Sequence, residues 1–203
     1  MDRHGPPVLA LDVAVLLPPD ARAALTRLNA RLSPPPDGFR FDDSHLPHVT
    51  LVQQFVHASE LPEVQGTVGD VLRGVAPLAV RGTTLRHGAT ATVLVIDQTP
   101  ALHVLHRRLI DRLAPHAVAL GDAAAFLSNG EPARDADVAW VTHFAANAAR
   151  DRFDPHVTLG VGTVDGSLDA ITDLATDIAV CHLGRFCTCR RVLGTWTLTG
   201  SGT

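Results

Sequence analysis

The chain contains no lysine, so all 17 of its basic residues are arginine. This absence excludes an ATP-dependent ligase that forms a lysyl-nucleotide intermediate, a P-loop NTPase and a Schiff-base enzyme, because each of them uses a lysine amine. Tyrosine is absent as well. If the protein stacks a nucleic-acid base, the stacking surface must therefore come from phenylalanine, tryptophan, histidine or arginine.

Positive charge and cysteine are also scarce. The formal net charge of −4 argues against a long electropositive track for duplex DNA or RNA, although a nucleotide or an RNA end needs only local positive charge. The three cysteines, Cys181, Cys187 and Cys189, are an odd number whose spacing matches neither a disulfide framework nor a paired zinc motif. We therefore expect a reducing, cytoplasmic setting and no bound metal.

Long hydrophobic runs are missing too. The most apolar stretch near the start, residues 8–17, is interrupted by Asp12 and is followed by two prolines rather than by a cleavage site. It is therefore predicted to be the first strand and not a targeting segment. No stretch is long enough to span a bilayer, so no membrane partner is expected.

Hydrophobic periodicity predicts a chain in which helices alternate with strands and hairpins. Asp20 and Thr99 are the expected N-caps of two of these helices. The order strand–helix–strand–helix, run through twice, favours an α+β protein over residues 1–203. Its two lobes would be pseudo-twofold-related antiparallel sheets flanked by helices, with a cleft between them. Helices are predicted at 20–32, 60–75, 99–113, 137–149 and 167–175, and strands at 8–17, 48–56, 78–85, 92–96, from 153, 177–183 and 191–199.

The pentapeptide Pro-His-Val-Thr-Leu occurs twice, at residues 47–51 and 155–159. Successive side chains of a strand alternate between its two faces, so within each copy the histidine and the threonine share one face. Two such strands facing each other would present two imidazoles and two hydroxyl groups to one small anion. A single copy is typical of an ordinary buried strand, but two identical copies, one in each half of the chain, indicate a shared site.

These residue types suit displacement at the phosphorus of a phosphodiester. One group must take a proton from the nucleophile, another must give one to the leaving oxygen, and the non-bridging oxygens need hydrogen-bond donors. Because imidazoles titrate near neutral pH, we predict that His48 and His156 are the catalytic acid–base pair. Thr50 and Thr158 are predicted to bind the phosphate. The sequence does not decide which histidine is the base.

Three further residues are candidates for substrate binding. By the same alternation, Gln54 continues the face of the first motif, and Gly160 continues that of the second. The missing side chain of Gly160 would leave room for a base or a ribose, although a glycine there could equally relieve a bend or a bulge. Phe126 lies in an irregular segment and is a candidate for stacking a base.

The motif His-Val-Thr-Leu at residues 48–51 and 156–159 resembles the signature of the 2H phosphoesterase superfamily, which includes bacterial RNA 2′,3′-cyclic phosphodiesterases, also called 2′-5′ RNA ligases. The resemblance extends to Arg152 and Phe153 before the second motif. It implies a bilobal α+β fold, a metal-independent mechanism without a cofactor, and substrates with 2′,3′-cyclic or 2′-5′ phosphodiester bonds. Bacterial members often have a basic residue shortly after the second motif, where this chain has Gly-Val-Gly at 160–162. Arg152 or another arginine is the candidate to replace its phosphate contact.

We therefore expect one 2H phosphoesterase-like domain of two lobes that opens 2′,3′-cyclic phosphate ends of RNA or nucleotides, with ATP-independent 2′-5′ ligation as the reverse reaction. A nucleotide or an RNA terminus is its expected partner, duplex DNA is not, and the chain is expected to be a monomer. Two alternatives remain: a nucleotide-binding module with little turnover, and a hydrolase of another cyclic or 2′-5′-linked nucleotide. A metal-dependent phosphodiesterase is a third, weaker alternative. Activity in the presence of a chelator would exclude it.

Overall fold

The computed structural model describes residues 6–164 and 170–200. Within them lie the helices α1 (Pro19–Asn29), α2 (Leu61–Leu72), α3 (Pro100–Leu113) and α4 (Asp135–Asn147). The strands there are β1 (Val8–Leu16), β2 (His48–His57), β3 (Leu78–His87), β4 (Ala91–Ile96), β5 (His156–Val161), β6 (Ile171–Ala175), β7 (Asp177–Leu183) and β8 (Cys189–Thr197). The second motif strand begins at its histidine, three residues later than predicted.

The strands form two four-stranded sheets, with the orders β2-β1-β7-β8 and β5-β4-β3-β6. Every pairing is antiparallel, which confirms the predicted α+β class with two antiparallel sheets. The sheets do not correspond to the two halves of the chain, because the first and last pairs of strands form one sheet and the four middle strands form the other. Each motif strand lies at an edge of its sheet, and the two motif strands contact each other.

Each motif strand has one apolar face and one polar face. Val49 and Leu51 of β2 and Val157 and Leu159 of β5 are buried in the main hydrophobic core. The histidine and threonine of each motif lie on the other face and line a cleft. The motif therefore encodes both a core-forming strand and a cleft-lining surface, which is why its residues alternate in polarity.

A β-bulge interrupts both motif strands at the same position. In β2, Leu51 is skipped in the pairing with β1, and in β5 the matching Leu159 is skipped in the pairing with β4. An extra residue shifts the alternation by one, so side chains beyond a bulge change faces. On β2 this places Gln53, and not Gln54, beside Thr50 on the cleft face.

Helix α1 connects the two lobes. It begins one residue earlier than predicted, with Pro18 at the N-cap position, so the expectation that Asp20 is the cap is wrong. Asp20 lies in the first turn, where its negative charge still suits the helix N-terminus. At the other end, the buried amide of Asn29 donates to the carbonyl oxygens of Phe39 at 3.0 Å and Leu159 at 2.7 Å. Asn29 of α1 thus holds the bulge of β5 in place.

Helix α3 follows the sequence prediction closely. The hydroxyl of Thr99 accepts a hydrogen bond from the backbone N–H of Leu102 at 3.3 Å, which confirms Thr99 as the N-cap. The helix ends at Leu113, just before Pro115. Among the described residues, no helix is both long and apolar enough to cross a membrane.

The predicted short helix at residues 167–175 is wrong for the part that the structure describes. Residues 171–175 form β6, which pairs with β3 at the edge of the second sheet, whereas 165–169 lie outside the described residues. Ile171 and Ala175 are buried, while Leu174 is 59% exposed. The alternation of buried and more exposed side chains, together with the β-branched residues, favours a strand over a helix here.

Candidate active site

The cleft between the two motif strands has a volume of about 520 Å³. Its walls come from both sheets, from α4, and from the segments at residues 39–46 and 186–188. The four residues that the sequence predicted as the centre of the site all line it: His48, Thr50, His156 and Thr158. The fold thus brings together two motifs that are about a hundred residues apart in the chain.

The two histidines are oriented in the same way. Nδ1 of His48 donates to the carbonyl oxygen of Leu46 at 2.7 Å, and Nδ1 of His156 donates to that of Asp154, also at 2.7 Å. Since a carbonyl oxygen can only accept, Nδ1 of each ring holds a hydrogen. The proline before each histidine has a fixed φ and keeps the acceptor carbonyl in place. In both rings Nε2 is therefore the nitrogen that can exchange a proton with a ligand.

A buried carboxylate lies beneath the first motif. Asp12 of β1 is completely buried, and its Oδ2 accepts hydrogen bonds from the Thr50 hydroxyl and from the Gln53 amide, both at 2.7 Å. The same oxygen lies 3.4 Å from Nε2 of His48. We did not assign Asp12 to the site from the sequence, although a lone acidic residue inside an otherwise apolar strand is a signal that could have found it, because buried charges need partners.

The pKa values of the two imidazoles are shifted in opposite directions. Burial on its own would lower the pKa of His48, but the hydrogen bond and charge of Asp12, helped by the Leu46 carbonyl, raise this pKa to about 9. Burial lowers the pKa of His156, and the carbonyl and charge of Asp154 only partly oppose it. At neutral pH the site therefore holds one imidazolium, on His48, and one neutral imidazole, on His156.

The two threonines also differ. The hydroxyl hydrogen of Thr50 is directed to Asp12, so Thr50 offers a ligand mainly its lone pairs. Thr158 is half-buried at the cleft surface, and within the described residues its hydroxyl has no hydrogen-bond partner. Thr158 is thus the motif threonine whose donor is available to a phosphate oxygen.

Two of the weaker sequence candidates lie outside the cleft. Gln54 points away from it and donates to the carbonyl oxygen of Leu113 at 3.2 Å. Gly160 is buried against the end of α1 and the turn after it, where an added Cβ would lie 3.2 Å from Asn29 and 3.0 Å from Leu32. Both assignments assumed unbroken alternation along the strands, and the bulges after the threonines invalidate that assumption. Neither residue lines the cleft in which a substrate would bind.

Phe126 also lies away from the cleft. It is buried, 4% exposed, and packs edge-on against Phe55 with ring centres 5.9 Å apart, so it is a core residue and not a stacking surface. Arg152, by contrast, is exposed and lines the cleft. Its guanidinium donates to the carbonyl oxygen of Ala146 near the end of α4, which holds a positive charge at the rim.

Two aromatic residues that the sequence did not predict, Phe186 and Trp140, line the cleft and are named its aromatic wall. The ring of Phe186 lies 3.9 Å below the guanidinium of Arg134, and the backbone N–H of Phe186 donates to Asp137 at 3.0 Å. Phe186 has a positive φ of 62°, a conformation that bulky residues adopt only when their surroundings impose it. Trp140 of α4 is 44% exposed and also lines the cleft.

Only one group of potential metal ligands in the described residues is compact, namely Asp12, His48 and Cys189, whose ligand atoms lie within 4.8 Å of one another. The carboxylate oxygen nearest His48 already accepts two hydrogen bonds. Burial raises the pKa of the Cys189 thiol well above its ordinary value, and so disfavours the thiolate that binds metals. We therefore do not identify these three residues as a metal centre.

Two lobes with one histidine–threonine motif each, meeting at one cleft, define the class of protein: a 2H phosphoesterase. The family model described as "2′-5′ RNA ligase superfamily" matches residues 17–191, and the chain therefore belongs to that superfamily. No curated protein matches the chain.

Solved structures of the same fold cover nearly the whole chain. Escherichia coli LigT complexed with phosphate has a TM-score of 0.60 at 17% identity, over 95% of this chain and 99% of that one. A protein described as a phosphoesterase has a TM-score of 0.60 at 18% identity, over 94% and 99%. The protein TT0787 of Thermus thermophilus has a TM-score of 0.54 at 18% identity, over 96% and 100%. At these identities the likeness shows the fold.

Proposed function

We propose that the protein is a metal-independent phosphodiesterase that opens 2′,3′-cyclic phosphate ends of RNA or of nucleotides. The observation that supports this most directly is a pair of imidazoles lining one cleft, each hydrogen-bonded through Nδ1 so that Nε2 is the nitrogen that can exchange a proton. The carboxylate of Asp12 raises the pKa of His48 to about 9, and burial lowers the pKa of His156. An acid and a base that are both in their working form at neutral pH are what displacement at phosphorus requires without a metal.

In the proposed reaction, Nε2 of neutral His156 takes a proton from water as the water oxygen bonds to phosphorus. The bond from phosphorus to one ribose oxygen breaks, and Nε2 of protonated His48 gives its proton to that oxygen. The product is a phosphomonoester, and the two histidines have exchanged protonation states. Thr158 donates to a non-bridging oxygen, where charge increases in the transition state. The same displacement with a 5′-hydroxyl in place of water as the nucleophile forms a bond from phosphorus to that hydroxyl oxygen, breaks the bond to one ribose oxygen, and so joins two ends without ATP.

The rest of the cleft supports a nucleotide as substrate. Its volume of about 520 Å³ is within the range for small-molecule sites. Phe186 and Trp140 provide aromatic surface for a base, and Arg152 provides positive charge for a phosphate. LigT has been crystallised with phosphate and with 3′-AMP, which supports a similar ligand class here. We propose a cytoplasmic monomer that acts on a nucleotide or RNA terminus and not on duplex DNA.

The test is incubation of the purified protein, in excess EDTA, with nucleoside 2′,3′-cyclic phosphates and with 2′-5′-linked dinucleotides. His48→Ala and His156→Ala should each lower the rate by about 10²–10⁴-fold. His143→Ala is the matched control, because His143 is exposed on α4 and does not line the cleft. Phosphorus NMR of the product would show which ribose oxygen leaves.

Each outcome bears on a different part of the proposal. Activity that disappears in EDTA and returns with a divalent cation would contradict the metal-free mechanism. Cleavage of the 2′-5′ dinucleotides alone would favour the alternative of a hydrolase for another nucleotide linkage. Tight binding of nucleotides without turnover would favour a binding module.

A further inference from the structure

The single acidic residue of β1, Asp12, is completely buried. Burying a carboxylate is costly unless a positive charge compensates for it. Two of the groups close to Asp12 Oδ2 are neutral, the Thr50 hydroxyl and the Gln53 amide. The third is His48 at 3.4 Å, which is the only cationic partner of Asp12 in the described part of the chain.

We propose that Asp12 is a positioning residue that keeps His48 in its proton-donating form and engages the hydroxyl of Thr50, so that the two otherwise equivalent motifs take different roles. This rests on the proposed function above, because it concerns which histidine acts as the acid in that reaction. It does not require Asp12 to touch the substrate, and Asp12 is too deeply buried to do so.

Because the two lobes are related by a pseudo-twofold axis, the positions around His48 can be compared with the corresponding positions around His156. Across the bulge, Asp12 of β1 pairs with Gln53 of β2. In the other sheet the corresponding register positions are taken by Ala91 of β4 and Val161 of β5. The backbone pairing is therefore the same on both sides, but only the first lobe has a carboxylate and an amide beneath its histidine. The asymmetry between the histidines therefore does not come from the motifs, which are identical, and of these two positions only Asp12 adds a charge.

The other titratable groups around His48 do not provide this effect. Cys181 of β7 contributes less than Asp12, and the neighbouring thiol of Cys189 stays protonated because burial raises its pKa well above the ordinary value. His156 faces His48 from β5, and the two imidazoles disfavour each other's protonation. Asp12 is thus the group that decides which of the two rings holds the positive charge.

The test is a titration of the histidine rings by NMR in the ligand-free protein, alongside kcat/KM against pH. In Asp12→Asn the titration midpoint of the His48 ring, the pH at which it is half-protonated, should fall from about 9 to 6.5 or below. The loss in kcat/KM should then grow with pH, from about fourfold at pH 7 to about 30-fold at pH 8, as the protonated fraction of His48 shrinks. A purely structural role would lower the rate by the same factor at every pH.

Two further variants keep the test decisive. Gln53→Ala removes a neutral donor from Asp12 but leaves its charge, so His48 should still titrate well above 6.5. Ala91→Asp places a carboxylate at the half-buried position of the second lobe that corresponds to Asp12, in the cleft that His156 also lines, and tests the same rule if Asp12→Asn does not fold. This substitution should raise the pH at which His156 is half-protonated. The rise of kcat/KM at low pH should therefore move to a higher pH.

An unchanged His48 midpoint in Asp12→Asn, or an equal fall in Gln53→Ala, would overturn the proposal. So would an unchanged His156 midpoint in folded Ala91→Asp. Because the NMR titrations need no substrate, they remain informative if the protein cleaves none of the cyclic phosphates. In that case a moved midpoint would support the role of Asp12 while the proposed function failed.

Discussion

His48 and His156 make the same hydrogen bond in two different sheets: Nδ1 of each ring lies 2.7 Å from the carbonyl oxygen two residues earlier in the chain. The repeated proline between acceptor and ring explains why the motif is a pentapeptide and not just histidine and threonine. Since both rings are fixed in the same tautomer, the chemistry of the site depends on how many protons the two Nε2 atoms hold.

The dependence of the rate on pH should be bell-shaped. kcat/KM should rise with pH as His156 loses its proton, at a pH below the ordinary value of 6.5 because burial lowers this pKa. It should fall again near pH 9 as His48 loses the proton that it must donate. The measurement is kcat/KM for a nucleoside 2′,3′-cyclic phosphate from pH 5 to 10. A profile with only one limb over this range would contradict a pair of imidazoles.

Replacing the two threonines should have unequal effects. Thr158→Val removes the available donor to the phosphate and should lower kcat by about 10²–10³-fold, as for an oxyanion-hole donor. Thr50→Val should lower kcat less. It should instead reduce the free energy of unfolding by about 1–3 kcal/mol, because buried Asp12 loses a hydrogen bond. Kinetics and urea unfolding of both variants test this, and equal losses of kcat would show that both hydroxyls bind phosphate.

Stability should decline at high pH through the Asp12–His48 pair. The pKa of His48 is higher in the folded chain than its ordinary value of 6.5, so the stabilisation is complete below about pH 6.5 and is lost as the pH rises through about 9. Ionisation of cysteines in the unfolded chain adds to the decline, because the pKa values of Cys187 and Cys189 are raised in the folded state.

Comparison with Asp12→Asn isolates the contribution of the pair, since the cysteine effect is common to both proteins. Urea unfolding at pH 7 and at pH 10 should show a larger loss of unfolding free energy in the wild type than in the variant. Equal losses would mean that the carboxylate and the imidazole do not interact as the 3.4 Å separation indicates.

The centre of the site could be predicted from the sequence because it is encoded in local pattern. Alternation places His48 with Thr50 and His156 with Thr158 whatever the rest of the fold, and two identical motifs indicate a shared site on chemical grounds. The N-cap at Thr99 was predictable for the same reason, since the cap and the hydrogen bond it accepts lie within one helical turn.

The surroundings of the site depend on long-range pairing, which a single sequence does not reveal. Asp12 meets Thr50 across 38 positions of the chain, through a strand register that contains a bulge. Unbroken alternation from Thr50 points to Gln54, whereas the structure has Gln53 beside Thr50, because the bulge shifts the alternation by one residue. Composition likewise could not distinguish Phe126, a core residue, from Phe186, which faces the cleft.

The last of these distinctions provides a prediction about the substrate. If Phe186 stacks the base, Phe186→Ala should raise KM for a nucleoside 2′,3′-cyclic phosphate by about 5- to 150-fold, the range expected for one stacked base. It should change KM much less for ribose 2′,3′-cyclic phosphate without a base. Phe126→Leu is the matched control, because it alters an aromatic residue that packs on Phe55 outside the cleft.

Phe126→Leu should leave KM for both substrates unchanged and lower only the stability, by less than about 1.5 kcal/mol. Arg134→Ala adds a second check, because its guanidinium packs on the ring of Phe186 and its loss should weaken stacking without removing the ring. If Phe186→Ala raised KM equally for the substrates with and without a base, the aromatic wall would be shaping the phosphate site and not binding the nucleoside.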